Sequence, residues 1–475
     1  MKAGVSTRNG MEAFFMNCTA TKETANETQS GVDSLGSYEV CVHPSSDVSN
    51  VSSRHVSKRA SRYIRRARAQ ALMKPDPDTG KYHRNYWCGH SRLDGFNHWA
   101  AETVHVEKSE YGCSPMLADL EFCGSVWACP VCGQIIRNRR GQEIRQGVEN
   151  WQSQGGTVLF VTVTTRHTRS DNLSDLLNVD CEAWRKVTSG RPWQDWKKDF
   201  QVEGYTRTLE INYGLANGWH PHFHFLFFLE REVTQDEADK FCDFLYKRWC
   251  DALLKLTDAS NLPSREHGID VKVVKGDGKV LGTYVSKFMD IGAEVSCIEA
   301  KNGRRPEHFG AFQLLDIREP WAEARWDEYL KATKGRRSIF FTKGLRDALG
   351  LNEEVDDDQI VAEEAAHPRE VVGAIDRWVY NNVRYQEKWI EFDQALRCME
   401  NDDWQAATGI LDAVLSGREM IKHVVLRHVS GLPFIDYERY EDGDPYGTVV
   451  VPDGYHYRNG PHDGPGITYN PEDIR

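Results

Sequence analysis

The stretch Gly218-Trp-His-Pro-His-Phe-His-Phe-Leu-Phe-Phe228 constrains this chain more than any other, because three imidazoles alternate with a run of apolar residues. In a β-strand successive side chains point to opposite faces, so His220, His222 and His224 share one face and Phe223, Phe225 and Phe227 the other. One face can hold a metal while the other is buried. Asn217-Gly218 is a turn signal, and Tyr205-Thr-Arg-Thr-Leu-Glu-Ile211 reads as the partner strand of a hairpin. Antiparallel pairing across residues 212 to 219 brings Glu210 to the level of the histidines, which gives a site of two or three imidazoles and one carboxylate.

A second constellation is Lys279-Val-Leu-Gly-Thr-Tyr-Val-Ser-Lys-Phe-Met-Asp290. Read as a helix, it puts Tyr284 and Lys287 on one face, with Val280, Leu281, Val285 and Phe288 free to pack inward. A phenol is mostly protonated at neutral pH. A nearby ammonium, and a metal on the phosphate it attacks, would make it an effective nucleophile.

Together these stretches resemble the HUH endonucleases, and among them the single-tyrosine Rep proteins that initiate rolling-circle replication of plasmids. His222-Phe223-His224 matches the histidine-hydrophobic-histidine motif, and Tyr284 to Lys287 matches the Tyr-x-x-Lys motif. Phe160-Val-Thr-Val-Thr164 looks like the family's first motif, and Gly335-Arg-Arg-Ser-Ile-Phe-Phe-Thr-Lys-Gly-Leu345 is of the kind found after the nucleophile. The resemblance covers roughly Cys88 to Leu351. It implies an α+β fold with an HUH-type central antiparallel sheet and flanking helices, preceded by a small cysteine-rich zinc module. It also implies nicking of single-stranded or hairpin origin DNA through a covalent 5′-phosphotyrosine at Tyr284. The 3′ hydroxyl so released would prime a polymerase, and Lys287 would stabilise developing charge. His222 and His224 would hold magnesium or manganese. As third ligand Glu210 is preferred to His220, because hard oxygen suits those ions better than another imidazole. One departure is Val280, where many relatives carry a glutamate used in termination; Asp277 and Asp290 are the nearest carboxylates.

Upstream, Cys123-Gly-Ser-Val-Trp-Ala-Cys-Pro-Val-Cys132 holds a Cys-x-x-Cys pair that can grip a tetrahedral ion from a tight turn. Cys129, Cys132 and Cys123 are the expected zinc ligands. The resemblance adds Cys88, with Cys113 and His90 as competitors. A redox pair is the rival, and it should open a helix after a strand and would leave the other cysteines unexplained.

Along the chain, residues 1–53 are rich in Ser, Thr, Asn and Gly and are expected to be disordered. Residues 54–150 hold a basic arm and the zinc module, 151–350 the nicking domain, and 351–475 an acidic linker followed by a helical region from about Ala374 to Val425. Arg62, Arg65 and Arg66 in the arm, with Arg139 and Arg140 in a basic helix after the cysteines, are the expected DNA contacts. The net charge of −12 argues against DNA binding only as a sum, since the acids cluster elsewhere, as in residues 353–364. In the nicking domain the order strand, helix, hairpin, helix, strand, helix suits an antiparallel sheet with helices packed on one face. Thr234-Gln-Asp-Glu237 is a capping box that opens one of those helices.

No apolar run spans a bilayer and no signal peptide is visible, so a cytoplasmic, membrane-free protein is expected. No phosphate-binding Gly-x-x-x-x-Gly-Lys-Ser/Thr loop is present, so unwinding would fall to a host helicase. The C-terminal region could contact that helicase or pair the protein with itself. Three other classes stay open: a conjugative relaxase or transposase of the HUH type, a non-catalytic zinc-containing DNA-binding regulator, and a metal-dependent oxygenase.

Overall fold

The computed structural model describes residues 37–39, 55–91, 103–108, 116–274, 308–417, 421–440, 456–460 and 463–468. Tyr284, Lys287, Val280, Asp277, Asp290 and Cys113, and nearly all of 1–53, lie outside the described residues.

Helix α1 (Lys58–Ala71) is followed by strands β1 (Thr103–Glu107) and β2 (Met116–Leu117) and the long helix α2 (Pro130–Ser153). Next come β3 (Thr157–Thr164), α3 (Leu173–Val187) and α4 (Gly190–Asp199). The hairpin β4 (Val202–Gly214) and β5 (Gly218–Leu229) leads into α5 (Gln235–Leu253) and β6 (Ile269–Val273). After residues 275–307 the chain continues with β7 (His308–Gly310), α6 (Pro320–Thr333), β8 (Ile339–Phe341) and α7 (Asp357–Ala366). Strand β9 (Val371–Asp376), helices α8 (Arg377–Tyr385), α9 (Trp389–Glu400) and α10 (Trp404–Leu415), and the hairpin β10 (Ile421–Val429) and β11 (Leu432–Arg439) follow.

The central sheet runs β8-β4-β5-β3-β6, with β7 also on β4, and its described pairings are antiparallel. Period-2 alternation sets its faces. Phe223, Phe225 and Phe227 of β5 join Leu159, Val161 and Val163 of β3 in a core with Trp184 of α3 and Phe241, Leu245 and Trp249 of α5. The Trp184 ring stacks on Phe225 at 4.0 Å. Burying one such aromatic stabilises the fold by roughly 1.5–3 kcal/mol, which fixes the register, because a slip of one residue would turn the histidines inward. As expected, α5 opens with a complete Thr234–Glu237 capping box.

Helices do not lie on one face only, as the element order led us to expect. The opposite face is half covered by α2, whose Ile144, Val148 and Trp151 pack on Val158, Phe160, Leu226 and Phe228. The Trp151 indole donates to the Leu229 carbonyl at 3.0 Å. The apolar residues of β5 continue past the histidines onto their own face, so that end of the face needs a cover. At the histidine end His224 is itself buried, and His220 and His222 are half-buried.

A second sheet runs β10-β11-β9-β1-β2, with β9 parallel to β11 and antiparallel to β1. Helices α8, α9 and α10 supply Val379, Phe392, Leu396 and Leu411 to its core. The stretch expected to be helical from about Ala374 to Val425 therefore begins and ends in strands, because the β-branched Val371–Asp376 pairs with distant Thr103–Glu107 and Ile421–Val429 forms a hairpin with Leu432–Arg439.

Candidate metal centres and active site

Strand pairing places Glu210 opposite His222, Thr208 opposite His224 and Asn212 opposite His220. On the other side of β5, Thr162 and Thr164 of β3 stand opposite His224 and His222. This explains the position of the Phe160–Thr164 motif, since it is the strand that flanks the histidines. Glu210 Oε2 lies 2.7 Å from His224 Nε2, and the Asn212 amide donates to Glu210 Oε1 at 2.7 Å. His224 Nδ1 faces the Thr162 hydroxyl at 3.1 Å. Burial alone would raise the Glu210 carboxyl, but hydrogen bonding to His224, the charges of His224 and His222 and the Asn212 amide together bring it down to about 2. At neutral pH it is a carboxylate, ready to bind a cation.

Two imidazoles and a carboxylate are a donor set that divalent ions accept. Ligands held at about 2.1 Å from one octahedral ion stand about 3 Å apart at adjacent positions, so the Glu210–His224 separation needs to open only slightly. The His222 and His224 rings are parallel with centroids 6.0 Å apart, and His220 is 3.9 Å from His222. Among the described residues, however, the group whose donor atoms all lie within 4.8 Å of one another is the cysteine set, not the histidines.

That set is Cys88, Cys123, Cys129 and Cys132, all buried and all free thiols. It could hold a metal ion such as zinc. Cys88 Sγ is 3.5 Å from Cys129 Sγ and 3.6 Å from Cys132 Sγ. Sulfurs at about 2.3 Å from a tetrahedral ion stand about 3.8 Å apart, so the spacing fits. Burial pushes the Cys129 thiol up, while hydrogen bonds from the other three thiols pull Cys88 down. Cys129 caps α2 with Pro130 at its first position, so the pair does open a helix, as a redox pair would. It follows a turn rather than a strand, and Cys88 and Cys123 close around it. His90 is not in the group.

The expected DNA-contacting arm is a packed helix. Arg65, Arg66 and Arg140 are 6%, 3% and 2% exposed. Arg65 pairs with Asp316 at 2.8 Å, and Arg140 donates to the Val355 carbonyl at 2.6 Å and meets Asp357 at 3.4 Å. Their charges are directed inward, so these three do not present themselves to a DNA backbone. Arg62 is half-buried, and Arg139 is exposed beside Glu143 and Glu363 at 3.8 and 4.0 Å.

Sequence reading missed the turn after β3. Its His167 ring lies 4.4 Å from His220 and its Nδ1 donates to the Asn217 carbonyl at 2.9 Å. Gly218, at φ +79°, has no room for a side chain because the Arg169 backbone would lie 2.9 Å from its Cβ. The turn is thus fixed against the hairpin, with the Arg166 and Arg169 side chains exposed. The available signal was Arg166-His-Thr-Arg169, one residue beyond the first motif.

Comparison with known proteins agrees with the replication reading. A family profile described as "Replication protein" matches residues 115–387, which contain the histidine hairpin and three of the four clustered cysteines. The chain is 30% identical over 315 residues to "Protein rep" of Streptomyces lividans, covering 53% of this chain and 68% of that protein. It is 32% identical over 142 residues to "Neomycin resistance protein" of Streptomyces cyanogenus, covering 25% of this chain and 32% of that protein. No solved structure matches. The match over more than half of its length shows that this chain belongs to the replication protein family.

Proposed function

We propose that the chain initiates rolling-circle replication of a plasmid by nicking origin DNA in single-stranded form. The observation that carries this reading is the Glu210–His222–His224 arrangement, held on an antiparallel sheet whose other face is fully packed. Tyr284 is the proposed nucleophile. Its segment, residues 275–307, is flanked by Val274 and His308, which follow β6 and begin β7 on opposite edges of the histidine sheet. The described residues on either side of it therefore both lie at that sheet.

A divalent ion such as magnesium or manganese, bound by His222, His224 and Glu210, would neutralise charge on the scissile phosphate. The Tyr284 oxygen attacks phosphorus, the bond to the 3′ oxygen breaks, and that oxygen leaves as a hydroxyl after taking a proton. The 5′ phosphate stays esterified to the tyrosine until it is rejoined or released. Lys287 offsets the charge that develops in this step. Arg166 and Arg169, beside His167 and His220, offer exposed cations for the strand's phosphates. Zinc at the four cysteines would serve structure rather than chemistry, since all four ligand positions are taken.

The test is incubation with labelled single-stranded hairpins in manganese, followed by a denaturing gel. Label should migrate with the protein and vanish in Tyr284→Phe. Binding without an adduct would favour a non-catalytic regulator instead.

A further inference from the structure

All five arginines of helix α1 are buried or half-buried, and Arg59 pairs with Asp393, Arg65 with Asp316 and Arg68 with Glu323. Arg66 differs. It is 3% exposed, and among the described residues it has no carboxylate partner and its Nε has no hydrogen-bond partner. Its guanidinium lies 5.2 Å from the Tyr63 ring centroid and 5.4 Å from that of Trp389. It also fills the space over Gly89, the residue after Cys88, where φ is +74° and no side chain would fit. Two rings offset only part of the cost of burying a full positive charge.

The missing anion is available next door. When a divalent ion binds four cysteines, the four thiols release their protons and the complex carries a double negative charge. Resting on the reading of the cysteine cluster as a metal site, we propose that Arg66 is the counter-cation of the metal-loaded cluster and, through Trp389, ties loading to the seating of the C-terminal helices. Arg66 touches no ligand atom's coordination position; it acts by charge and packing.

Full-length protein is loaded with zinc and titrated with a chromophoric chelator. Wild type should hold one tightly bound zinc. Arg66→Gln should bind it about 10–100-fold more weakly, the usual cost of removing a group that supports metal ligands. Arg66→Lys keeps the charge and should stay near wild type, which also decides the matter if the glutamine variant does not fold. Arg59→Gln, which removes a different tie between α1 and α9, should leave zinc affinity unchanged. Stripping zinc from wild type should speed proteolysis within residues 377–439. Zinc affinity in Arg66→Gln equal to wild type, a lysine variant as weak as the glutamine one, or unchanged proteolysis would overturn the inference. A wild-type protein that holds no zinc would overturn the metal reading beneath it.

Discussion

Glu210 and His224 meet across the hairpin two residues out of direct register, with Glu210 Oε2 2.7 Å from His224 Nε2. The directly opposed His222 stands on the same face as this diagonal pair. Glu210 is therefore the proposed third ligand in preference to His220. Glu210→Gln should raise the manganese concentration needed for adduct formation by more than about 100-fold, exceeding the cost usual for supporting residues, while His220→Ala should change it much less. A manganese titration of the adduct reads both, and the reverse ranking would reassign the third ligand.

Thr162 supports His224 from the neighbouring strand. In a neutral ring with Nε2 donating to Glu210, Nδ1 accepts from the Thr162 hydroxyl; with a metal on Nε2, Nδ1 carries the proton and the hydroxyl accepts it. A hydroxyl serves both states. Thr162→Val preserves the β-branched shape and removes this partner, so metal affinity should fall about 10-fold with little change in melting temperature. Isothermal titration with manganese checks it, and unchanged affinity would remove Thr162 from the site.

The hairpin, its faces and the position of Glu210 were legible because strand periodicity is local and Asn217-Gly218 fixes the turn. The cysteine set was legible from spacing plus family resemblance. The direction of the arginines was not. Arg65 finds Asp316 at a separation of 251 residues, and no local pattern announces such a partner. Likewise α2 looks basic along its length, yet Ile144, Val148 and Trp151 form a stripe whose target, Leu226 and Phe228, exists only once the sheet has formed.

If Arg166 and Arg169 contact phosphates, their joint loss must reduce the salt dependence of binding as well as its strength. Each single-strand phosphate contact contributes about −0.7 to the slope of log affinity against log salt. Arg166→Gln with Arg169→Gln should therefore make that slope shallower by about 1.4. Fluorescence anisotropy with a single-stranded oligonucleotide across salt concentrations measures it. Weaker binding with an unchanged slope would mean that the turn shapes the site without touching the backbone.

Asp180 predicts a pH dependence of stability that is independent of catalysis. It is buried on α3 and accepts a hydrogen bond from the Thr165 hydroxyl at 2.5 Å. Burial raises its carboxyl to about 7, against the lowering effect of Thr165. In the unfolded chain it releases its proton near the ordinary aspartate value of about 3.9. Between those values the folded state binds more protons, so stability is fully present below about pH 4 and is lost as pH rises toward 7. The total is roughly 4 kcal/mol at most, by linkage. Asp180→Asn can still accept from Thr165 but cannot ionise. The two proteins should have similar melting temperatures at pH 5, with the gap opening in favour of the variant by several degrees at pH 8. A gap that is the same at both pH values would show that Asp180 stays ionised in the fold.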